Sequence, residues 1–457
     1  MAIRLPIGLE LAGARLVGRV SRLARAGGGT TLPGKLLWRL DPGALDRLAL
    51  RLPLGSAVVS ATNGKTTTSA MVASILGGRI ELAHNRAGAN LVSGVVSALV
   101  AAPAGAQLGL FELDEAHLPE VVRRIRPRAI CFGNLFRDQL DRYGELEQVA
   151  ERWRGAVAEL PAETIVVANA DDPQVGSLAD GRAGAILFGL DDPRHAHPLQ
   201  HAADSKYCIR CGTPYDYAAA YVGHLGDYRC PNCGHARPPL DVVARAIELD
   251  GLEGSRFTLA LAGTDHSVRL RLPGLYNVYN ALAAAALAHA LGAAPEEIVT
   301  GLERSAAAFG RSERIAVGDK RVLVLLVKNP AGANEVVRTL LDAGAPRHAV
   351  IALNDAIADG KDVSWIWDVD FEPLLAGMER IVASGDRAAE LALRLRYGGF
   401  AGELEVVSDL ERALDRGLEL TAAGGELVVL PTYTAMLALR RIVAGRGFVR
   451  PYWEKAA

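Results

Sequence analysis

A nine-residue segment near the N-terminus constrains the fold of this chain more than any other feature. Residues 60–68 read Ser-Ala-Thr-Asn-Gly-Lys-Thr-Thr-Thr and follow a short β-branched run. Backbone N–H groups at a helix N-terminus point towards an anion, and Gly64 allows close approach of the backbone. We therefore predict a phosphate-binding loop between a strand and a helix. Lys65 would reach the β- and γ-phosphates of a nucleotide, and the Thr66 hydroxyl would coordinate Mg²⁺. An ordinary capped helix start is the alternative, because the generic loop pattern has glycine where this chain has Val59.

Strand-like and helical runs alternate after this loop, which predicts an α/β fold with a mainly parallel sheet. A second α/β unit begins near Arg314. The predicted strands are Gly109–Leu113, Ala129–Phe132, Thr164–Ala168, Arg321–Val327, Ala349–Leu353, Arg380–Ser384 and Glu426–Leu430. We predict a short N-terminal region (1–50), a central nucleotide-binding domain (51–311) with an insertion at about 200–240, and a Rossmann-like C-terminal domain (312–457).

Charge and hydropathy exclude some classes of function. The 457 residues carry a formal net charge of −2, which argues against general nucleic-acid binding because that requires a basic surface. The longest apolar run, 281–294, is shorter than the ~20 residues of a membrane-spanning helix. Dispersed N-terminal arginines are unlike a signal peptide, so we predict a cytoplasmic location. Arg15, Arg19 and Arg22 lie at helical spacing. They would form either a solvated helix face or a surface that approaches anionic lipid at the inner face of the membrane.

Four of the five cysteines form two pairs with metal-binding spacing. Cys208 and Cys211 form one Cys-x₂-Cys pair, Cys230 and Cys233 form the other, and residues 212–229 separate them. This spacing predicts a structural zinc ribbon with four thiolate ligands. Two disulfides and an iron–sulfur cluster are the alternatives. We expect nearby histidines (His195, His197, His201, His224 and His235) to be solvated loop residues.

The loop and the segments after it resemble the Mur ligases and the folylpolyglutamate synthases. Thr-Asn-Gly-Lys-Thr-Thr at 62–67 resembles their nucleotide loop, and Phe-Glu-Leu-Asp-Glu at 111–115 resembles their magnesium-binding strand end. The resemblance implies that the loop residues Thr62, Asn63, Gly64, Lys65, Thr66 and Thr67 bind ATP. It also implies that Glu112 holds Mg²⁺ together with Thr66, and that Asn90 lies near the adenine. For Glu112, a solvated strand end is the alternative.

Further motifs follow in the same order as in these ligases. Residues 274–281 resemble Gly-x-His-Asn-x-x-Asn-Ala, with a tyrosine in place of histidine, and the resemblance implies that Asn277 contacts the base. Arg311 aligns with an interdomain arginine that grips phosphate or ribose. The chain also departs from the amino-acid-adding ligases. Gln139 replaces a metal-binding histidine, the segment 151–154 lacks the carbamylated lysine, and Lys328 replaces a histidine and would neutralise phosphate directly.

Three features resemble the MurT family. They are the zinc ribbon inside the ligase core, Lys-Asn-Pro-Ala-Gly at 328–332 and Asp-Gly-Lys-Asp-Val-Ser-Trp at 359–365. This resemblance implies the ATP-dependent synthetase subunit of lipid II isoglutaminyl synthase. Such a subunit activates the α-carboxylate of D-Glu in the lipid II stem peptide as an acyl phosphate, and ammonia from a GatD-type glutaminase then amidates it. One C-terminal aspartate would complete the partner's Cys–His–Asp triad, since a carboxylate orients the histidine. The spacing does not choose among Asp355, Asp359 and Asp362.

Two other functions compete with this interpretation. One is a Mur-type ligase that adds an amino acid to a peptidoglycan or pseudopeptidoglycan precursor, and the lost histidine and lysine count against it. The other is a zinc-ribbon scaffold with a vestigial ATP loop, and the intact Lys65, Thr66 and Glu112 count against it. The predicted cofactors are ATP, Mg²⁺ and Zn²⁺, and the predicted partners are a GatD-type glutaminase and lipid II, with no nucleic acid.

Overall fold

The strands of the N-terminal two-thirds of the chain build one large sheet and one separate hairpin. The computed structural model describes residues 32–85, 89–138, 145–200, 203–305 and 311–449, without the side chain of residue 311. The strands are β1 (Ser56–Ser60), β2 (Leu82–His84), β3 (Leu108–Glu112), β4 (Ala129–Phe132), β5 (Ile165–Asn169), β6 (Ile186–Leu190), β7 (Asp216–Val222), β8 (Leu225–Arg229), β9 (Val242–Leu249), β10 (Ser255–Leu261) and β11 (Thr264–Leu270). Within these ranges the large sheet has the order β11-β10-β9-β6-β5-β4-β1-β3-β2, and β7 pairs with β8.

The centre of this sheet is parallel and covered on both faces. β1, β3 and β4 are buried along their whole length, as expected where helices cover both sides of a parallel sheet. The helices are α1 (Leu32–Leu40), α2 (Ala44–Ala49), α3 (Lys65–Leu76), α4 (Val92–Ala101), α5 (Leu118–Ile125), α6 (Leu146–Ala158), α7 (Pro173–Gly176), α8 (Leu275–Ala290) and α9 (Pro295–Arg304). One apolar core lies between the sheet and α3, α8 and α9, and a second lies beneath α1, α2, α4, α5 and α6. Short 3₁₀ helices span Ser177–Ala179 and Pro193–His195.

The C-terminal third forms a second sheet of mainly parallel strands. Its strands are β12 (Arg311–Val317), β13 (Lys320–Leu325), β14 (His348–Ala352), β15 (Arg380–Ser384), β16 (Glu403–Val406) and β17 (Glu426–Pro431). The order is β12-β13-β17-β14-β15-β16, and only the pairing of β12 with β13 is antiparallel in the described part of the sheet. Its helices are α10 (Pro330–Asp342), α11 (Glu372–Leu375), α12 (Ala388–Tyr397), α13 (Leu410–Leu420) and α14 (Tyr433–Gly445), with a 3₁₀ helix at Ser364–Asp368.

The α/β fold class predicted from the sequence is confirmed, and β4 and β15 have the predicted bounds. The antiparallel extension formed by β9, β10 and β11 was not predicted. In β10 buried and less buried residues alternate, because one face of an antiparallel edge is solvated. An alternating pattern in the sequence is a weaker signal for a strand than a continuous apolar run. The predicted N-terminal helix lies outside the described residues. No helix in the described part of the chain has the length and apolarity to cross a membrane.

Candidate functional site

The predicted phosphate loop lies where a parallel sheet presents its ligand-binding edge. β1 ends at Ser60, and the chain turns through Gly64 into α3. Gly64 adopts φ +90°, a left-handed conformation that favours glycine. A Cβ built on Gly64 would lie 1.9 Å from Oδ1 of Asn280 on α8. The loop backbone can therefore pass beneath α8 only because this residue has no side chain.

We predict that Gly64→Ala will eliminate detectable ATP binding while the chain retains its zinc. A methyl group here meets both the positive φ and the Asn280 amide, so the loop must move away from the position that cradles phosphate. Isothermal titration with Mg-ATP measures the effect. Gly78→Ala is a matched control, because no atom lies within 4 Å of a Cβ built there. ATP binding to Gly64→Ala at the wild-type affinity would contradict the prediction.

A neighbouring segment fixes the loop through its backbone. Asn134 accepts a hydrogen bond from Asn63 N at 2.9 Å and donates one to Asn63 O at 3.0 Å. Thr62 N donates to Asn134 O at 2.9 Å, and Phe136 N donates to Thr62 Oγ1 at 3.0 Å. The sequence analysis did not predict that Asn134 supports the loop.

Lys65 lies buried beneath the loop and paired with a carboxylate. Its Nζ is 2.9 Å from Oε2 of Glu115, and the two side chains are only 8% and 6% exposed. Nζ also donates to Ala61 O. Burial by itself lowers the pKa of Lys65, but the charges of Glu115 and Asp114 outweigh it and hold that pKa above its ordinary value. The lysine is therefore a full positive charge at neutral pH, held next to the predicted phosphate site.

The two residues predicted to hold Mg²⁺ lie next to each other. The Thr66 hydroxyl at the start of α3 is 3.2 Å from Oε1 of Glu112 at the end of β3. Asn85, a residue that the sequence analysis missed, holds the backbone of Glu112 on both sides, donating to its O at 2.8 Å and accepting from its N at 2.9 Å. A hydroxyl and a carboxylate are the oxygen ligands that Mg²⁺ prefers, so the donor set fits this ion.

A cleft runs from the phosphate loop to the C-terminal sheet. Asn63, Gly64 and Thr67 line one end of it, and Tyr276, Asn277 and Ser312 also line it. Its mixed polar and apolar lining suits a nucleotide. Asn277 therefore lies in the cleft, as the base-contact prediction requires, and its side chain donates to Pro273 O at 2.7 Å.

The C-terminal unit closes over the phosphate loop through two polar contacts. The amides of Asn63 and Asn329 exchange hydrogen bonds of 3.2 and 3.0 Å. Nζ of Lys328 lies 2.5 Å from Oδ2 of Asp138, and Lys328 lines the cleft. Lys328 therefore lies in the cleft, and its role in neutralising phosphate stays a prediction. Asn329 is a further residue that the sequence analysis did not assign.

Two other residues were predicted to contact the nucleotide. One does not line the described part of the cleft, and the side chain of the other lies outside the described residues. The backbone O of Asn90 accepts from Asp114 N at 3.0 Å, and Asn90 does not line the described part of the cleft. Its predicted place near the adenine stays a prediction. The side chain of Arg311 and the residue Gln139 lie outside the described structure, and their roles also stay predictions.

The four paired cysteines converge at one end of the β7–β8 hairpin. Their sulfur atoms all lie within 4.8 Å of one another, and the Cys208–Cys233 and Cys211–Cys230 Sγ distances are 3.5 and 3.4 Å. Tetrahedral Zn–S bonds of about 2.3 Å separate sulfurs by roughly 3.8 Å, whereas a disulfide requires about 2 Å. All four thiols are free, and their arrangement is compatible with a zinc site.

Two of the ribbon's histidines are buried, contrary to the prediction that they are solvated. His235 is 8% exposed, and its Nδ1 lies 2.6 Å from the Tyr215 hydroxyl. His224 is fully buried, with Nε2 3.3 Å from Oδ2 of Asp172. His235 is buried because the ribbon packs around its own aromatic residues. His224 is buried because the hairpin turn packs against the apolar core beneath α8. Local composition does not encode such tertiary contacts.

The His224–Asp172 contact connects the ribbon to the phosphate loop. Oδ2 of Asp172 accepts from Leu135 N at 2.8 Å, and residue 135 lies between the two residues that bind Thr62 and Asn63. The ribbon therefore supports the wall on which the loop rests.

The three candidate aspartates of the C-terminal unit have different surroundings. Asp359 is 5% exposed, and both of its oxygens accept hydrogen bonds from Thr434 at the start of α14. Asp355 pairs with Arg387, whose Nη2 is 2.9 Å from Oδ2, and this contact lowers the pKa of Asp355. Asp362 is exposed and accepts from Ser364 N at 2.8 Å. Asp362 is the most exposed of these three residues.

Sequence comparisons match both units of the chain. The Mur ligase middle domain family matches residues 59–236, and the MurT ligase C-terminal family matches residues 326–436. The lipid II isoglutaminyl synthase (glutamine-hydrolyzing) subunit MurT of Streptococcus pneumoniae is 35% identical over 444 residues, covering 95% of this chain and 97% of its own length. The same subunit from Staphylococcus aureus strain N315 is 32% identical over 413 residues, covering 89% and 91%.

Solved structures show the same fold. A pseudomurein peptide ligase type C from Methanothermus fervidus superposes with a TM-score of 0.66 at 22% identity, over 86% of this chain and 79% of that one. At this identity the likeness concerns the fold alone.

Proposed function

Because this chain belongs to the MurT family of Mur-type ligases, we propose that it amidates the stem peptide of lipid II as the ATP-dependent synthetase subunit of an isoglutaminyl synthase. The observation that carries the proposal is the 35% identity to such a subunit over almost the whole length of both chains. We divide the chain into the N-terminal region 1–50, the central domain 51–311 with the ribbon at about 200–240, and the C-terminal domain 312–457.

The first step transfers the γ-phosphoryl group of ATP to the α-carboxylate of D-Glu. A carboxylate oxygen attacks the γ-phosphorus, the bond to the β,γ-bridging oxygen breaks, and ADP leaves. Phosphoryl transfer depends on positioning and on neutralisation of the developing charge. Lys65 beneath the loop and Lys328 in the cleft lining would supply positive charge, and Thr66 and Glu112 would hold a Mg²⁺ ion that neutralises the phosphate oxygens.

The second step replaces phosphate by ammonia. The ammonia nitrogen attacks the acyl carbon, the C–O bond to phosphate breaks, and the nitrogen releases a proton to leave the D-isoglutamine amide. A GatD-type glutaminase would release ammonia from glutamine with a nucleophilic cysteine. Four of the five cysteines of this chain lie in the ribbon, and Cys131 is fully buried, with its thiol pKa raised by that burial. A separate glutaminase as the source of ammonia fits these observations, and we propose that the complex acts on lipid II at the inner face of the membrane.

We assign the partner-facing aspartate of the predicted triad to Asp362. The Asp355 carboxylate pairs with Arg387, and the Asp359 carboxylate caps α14. Asp362 is exposed and therefore accessible to a histidine of the glutaminase.

We predict that Asp362→Asn will reduce glutamine-dependent amidation by at least about 10²-fold, since an amide no longer stabilises the imidazolium of the triad. Amidation with free ammonium will stay within about threefold of the wild type, because the synthetase site is intact. The same two assays on Asp355→Asn and Asp359→Asn provide the comparison. Equal loss with glutamine and with ammonium in Asp362→Asn would contradict the assignment.

Reconstitution tests the function as a whole. The chain, a GatD-type glutaminase, glutamine, Mg-ATP and lipid II are incubated together, and mass spectrometry follows the exchange of –OH for –NH₂ on the stem peptide. Free ammonium that replaces the glutaminase and glutamine would assign the synthetase half-reaction to this chain. Ligation of an amino acid to a precursor, without amidation, would instead establish the amino-acid-adding alternative.

A further inference from the structure

A buried carboxylate lines the nucleotide cleft and has no role in the chemistry described above. Glu335 lies on α10 and is 3% exposed. Among the described residues that line the cleft, it is the only aspartate or glutamate. A carboxylate is repelled by phosphate, so its presence in a site for a polyanion requires a specific partner.

The position of Glu335 follows from the packing of α10 against α8. A Cβ built on Gly274, the residue before α8, would lie 2.7 Å from the Thr339 hydroxyl, and that hydroxyl donates to Glu335 O at 2.8 Å. The Glu335–Thr339 turn of α10 therefore faces the first turn of α8, which carries Tyr276 and Asn277. All three of Glu335, Tyr276 and Asn277 line the cleft.

The carboxylate lacks the hydrogen-bond donors that a buried acceptor requires. Nη2 of Arg338 lies 3.0 Å from Oε1, but the contact lacks hydrogen-bond geometry and Oε1 has no donor. Burial raises the pKa of Glu335 to about 7, against the opposing effect of the Arg338 charge. An unsatisfied buried acceptor destabilises the fold, and a ligand that donates a hydrogen bond to Oε1 would remove that cost.

The geometry of the cleft determines which part of ATP supplies that donor. The phosphates belong at the loop end of the cleft, which Asn63, Gly64 and Thr67 line, above the buried Lys65. The remaining wall contains Leu272, Tyr276 and Val336, an apolar lining that suits a purine ring. An adenine there offers its exocyclic 6-amino group as a donor, whereas hypoxanthine and guanine carry a carbonyl oxygen at that position.

We propose that Glu335 is a specificity-determining residue that accepts a hydrogen bond from the 6-amino group of adenine. Where Glu335 is ionised, it selects ATP over 6-oxo purine nucleotides because its carboxylate offers no donor to a carbonyl oxygen at that position. The inference rests on the proposed function, since it places ATP in this cleft.

Titration of three nucleotides into the zinc-loaded full-length chain tests the proposal. The probes are Mg-ATP, Mg-ITP, which has oxygen in place of the 6-amino group, and Mg-2′-deoxy-ATP, which lacks one ribose hydroxyl. We expect the wild-type chain to bind ATP at least about 10-fold more tightly than ITP, as a charge-assisted hydrogen bond allows. In Glu335→Ala the ATP affinity falls to within about threefold of the ITP affinity, and 2′-deoxy-ATP follows ATP throughout.

Glu335→Gln keeps the test decisive if the alanine variant folds poorly. The amide retains an acceptor for the 6-amino group and adds a donor for a 6-oxo group, so ATP binding is retained and ITP binding improves. Asp342→Asn, an exposed position at the end of the same helix, is the matched control and keeps the wild-type ratio.

Three results would overturn the proposal. The first is an unchanged ATP-to-ITP ratio in both Glu335 variants. The second is a loss that depends on the 2′-hydroxyl, which would place Glu335 at the ribose. The third is the absence of nucleotide binding by the wild-type chain, which would also remove the proposed function, whereas the first two leave that function intact.

Discussion

Lys65→Ala will abolish lipid II amidation, with a loss on the order of 10³-fold or more, both with glutamine and with free ammonium. In the proposed mechanism the lysine neutralises charge on the transferring phosphoryl group. The reconstituted assay measures the loss, and Lys35→Ala on the exposed face of α1 serves as the control.

The same substitution affects folding, and a second variant separates the two effects. Removing Lys65 leaves the buried Glu115 carboxylate without its cation, which costs about 3–5 kcal/mol of unfolding free energy. Lys65→Ala will therefore melt at a lower temperature. The double variant Lys65→Ala, Glu115→Gln will recover much of that temperature without recovering amidation. Restored amidation in the double variant would show that Lys65 has only a structural role.

Cys230→Ser will remove the bound zinc and unfold the ribbon. Cys230 is fully buried in the cluster of four sulfurs, and structural zinc contributes about 10–16 kcal/mol to small zinc domains. Zinc content by atomic emission and thermal melting measure the change. Cys131→Ala, which alters the one cysteine outside the cluster, retains zinc. Full zinc content in Cys230→Ser would contradict the structural assignment.

Loss of the ribbon will also weaken ATP binding, although no described ribbon cysteine lines the cleft. The hairpin turn that carries His224 supports Asp172, and Asp172 fixes the segment that holds the loop. We expect the affinity of Cys230→Ser for Mg-ATP to fall by at least about 10-fold, because the segment that holds the loop loses its support. An unchanged affinity in the zinc-free protein would show that the ribbon and the loop are independent.

The sequence predicted the features that depend on local pattern. The strand, glycine turn and helix of the phosphate loop, the zinc ribbon and the parallel strands of both sheets have periodicities or spacings that can be read directly. Contacts between distant segments leave no such pattern. The amide of Asn85 behind Glu112 and the amide pair of Asn63 with Asn329 join residues 27 and 266 positions apart.

The sequence also did not predict which single polar residues are buried. Glu335 lies in a helix whose polar and apolar positions are ordinary, and only the packing of α10 against α8 turns it into the cleft. The sequence does not distinguish His224 from the other loop histidines. His224 is fully buried because the hairpin turn that carries it packs into the core.

The reciprocal amide pair between Asn63 and Asn329 has a consequence for the conditions under which the two units close. Neutral hydrogen bonds are almost unaffected by ionic strength, whereas exposed ion pairs weaken as salt screens them over about 8–10 Å. The contact at the loop joins two neutral amides, while the neighbouring Lys328–Asp138 contact joins two opposite charges. Closure measured against salt concentration will thus retain a salt-independent component, so the enzyme can shut its cleft beside a charged surface whose local ion concentration differs from that of bulk solution.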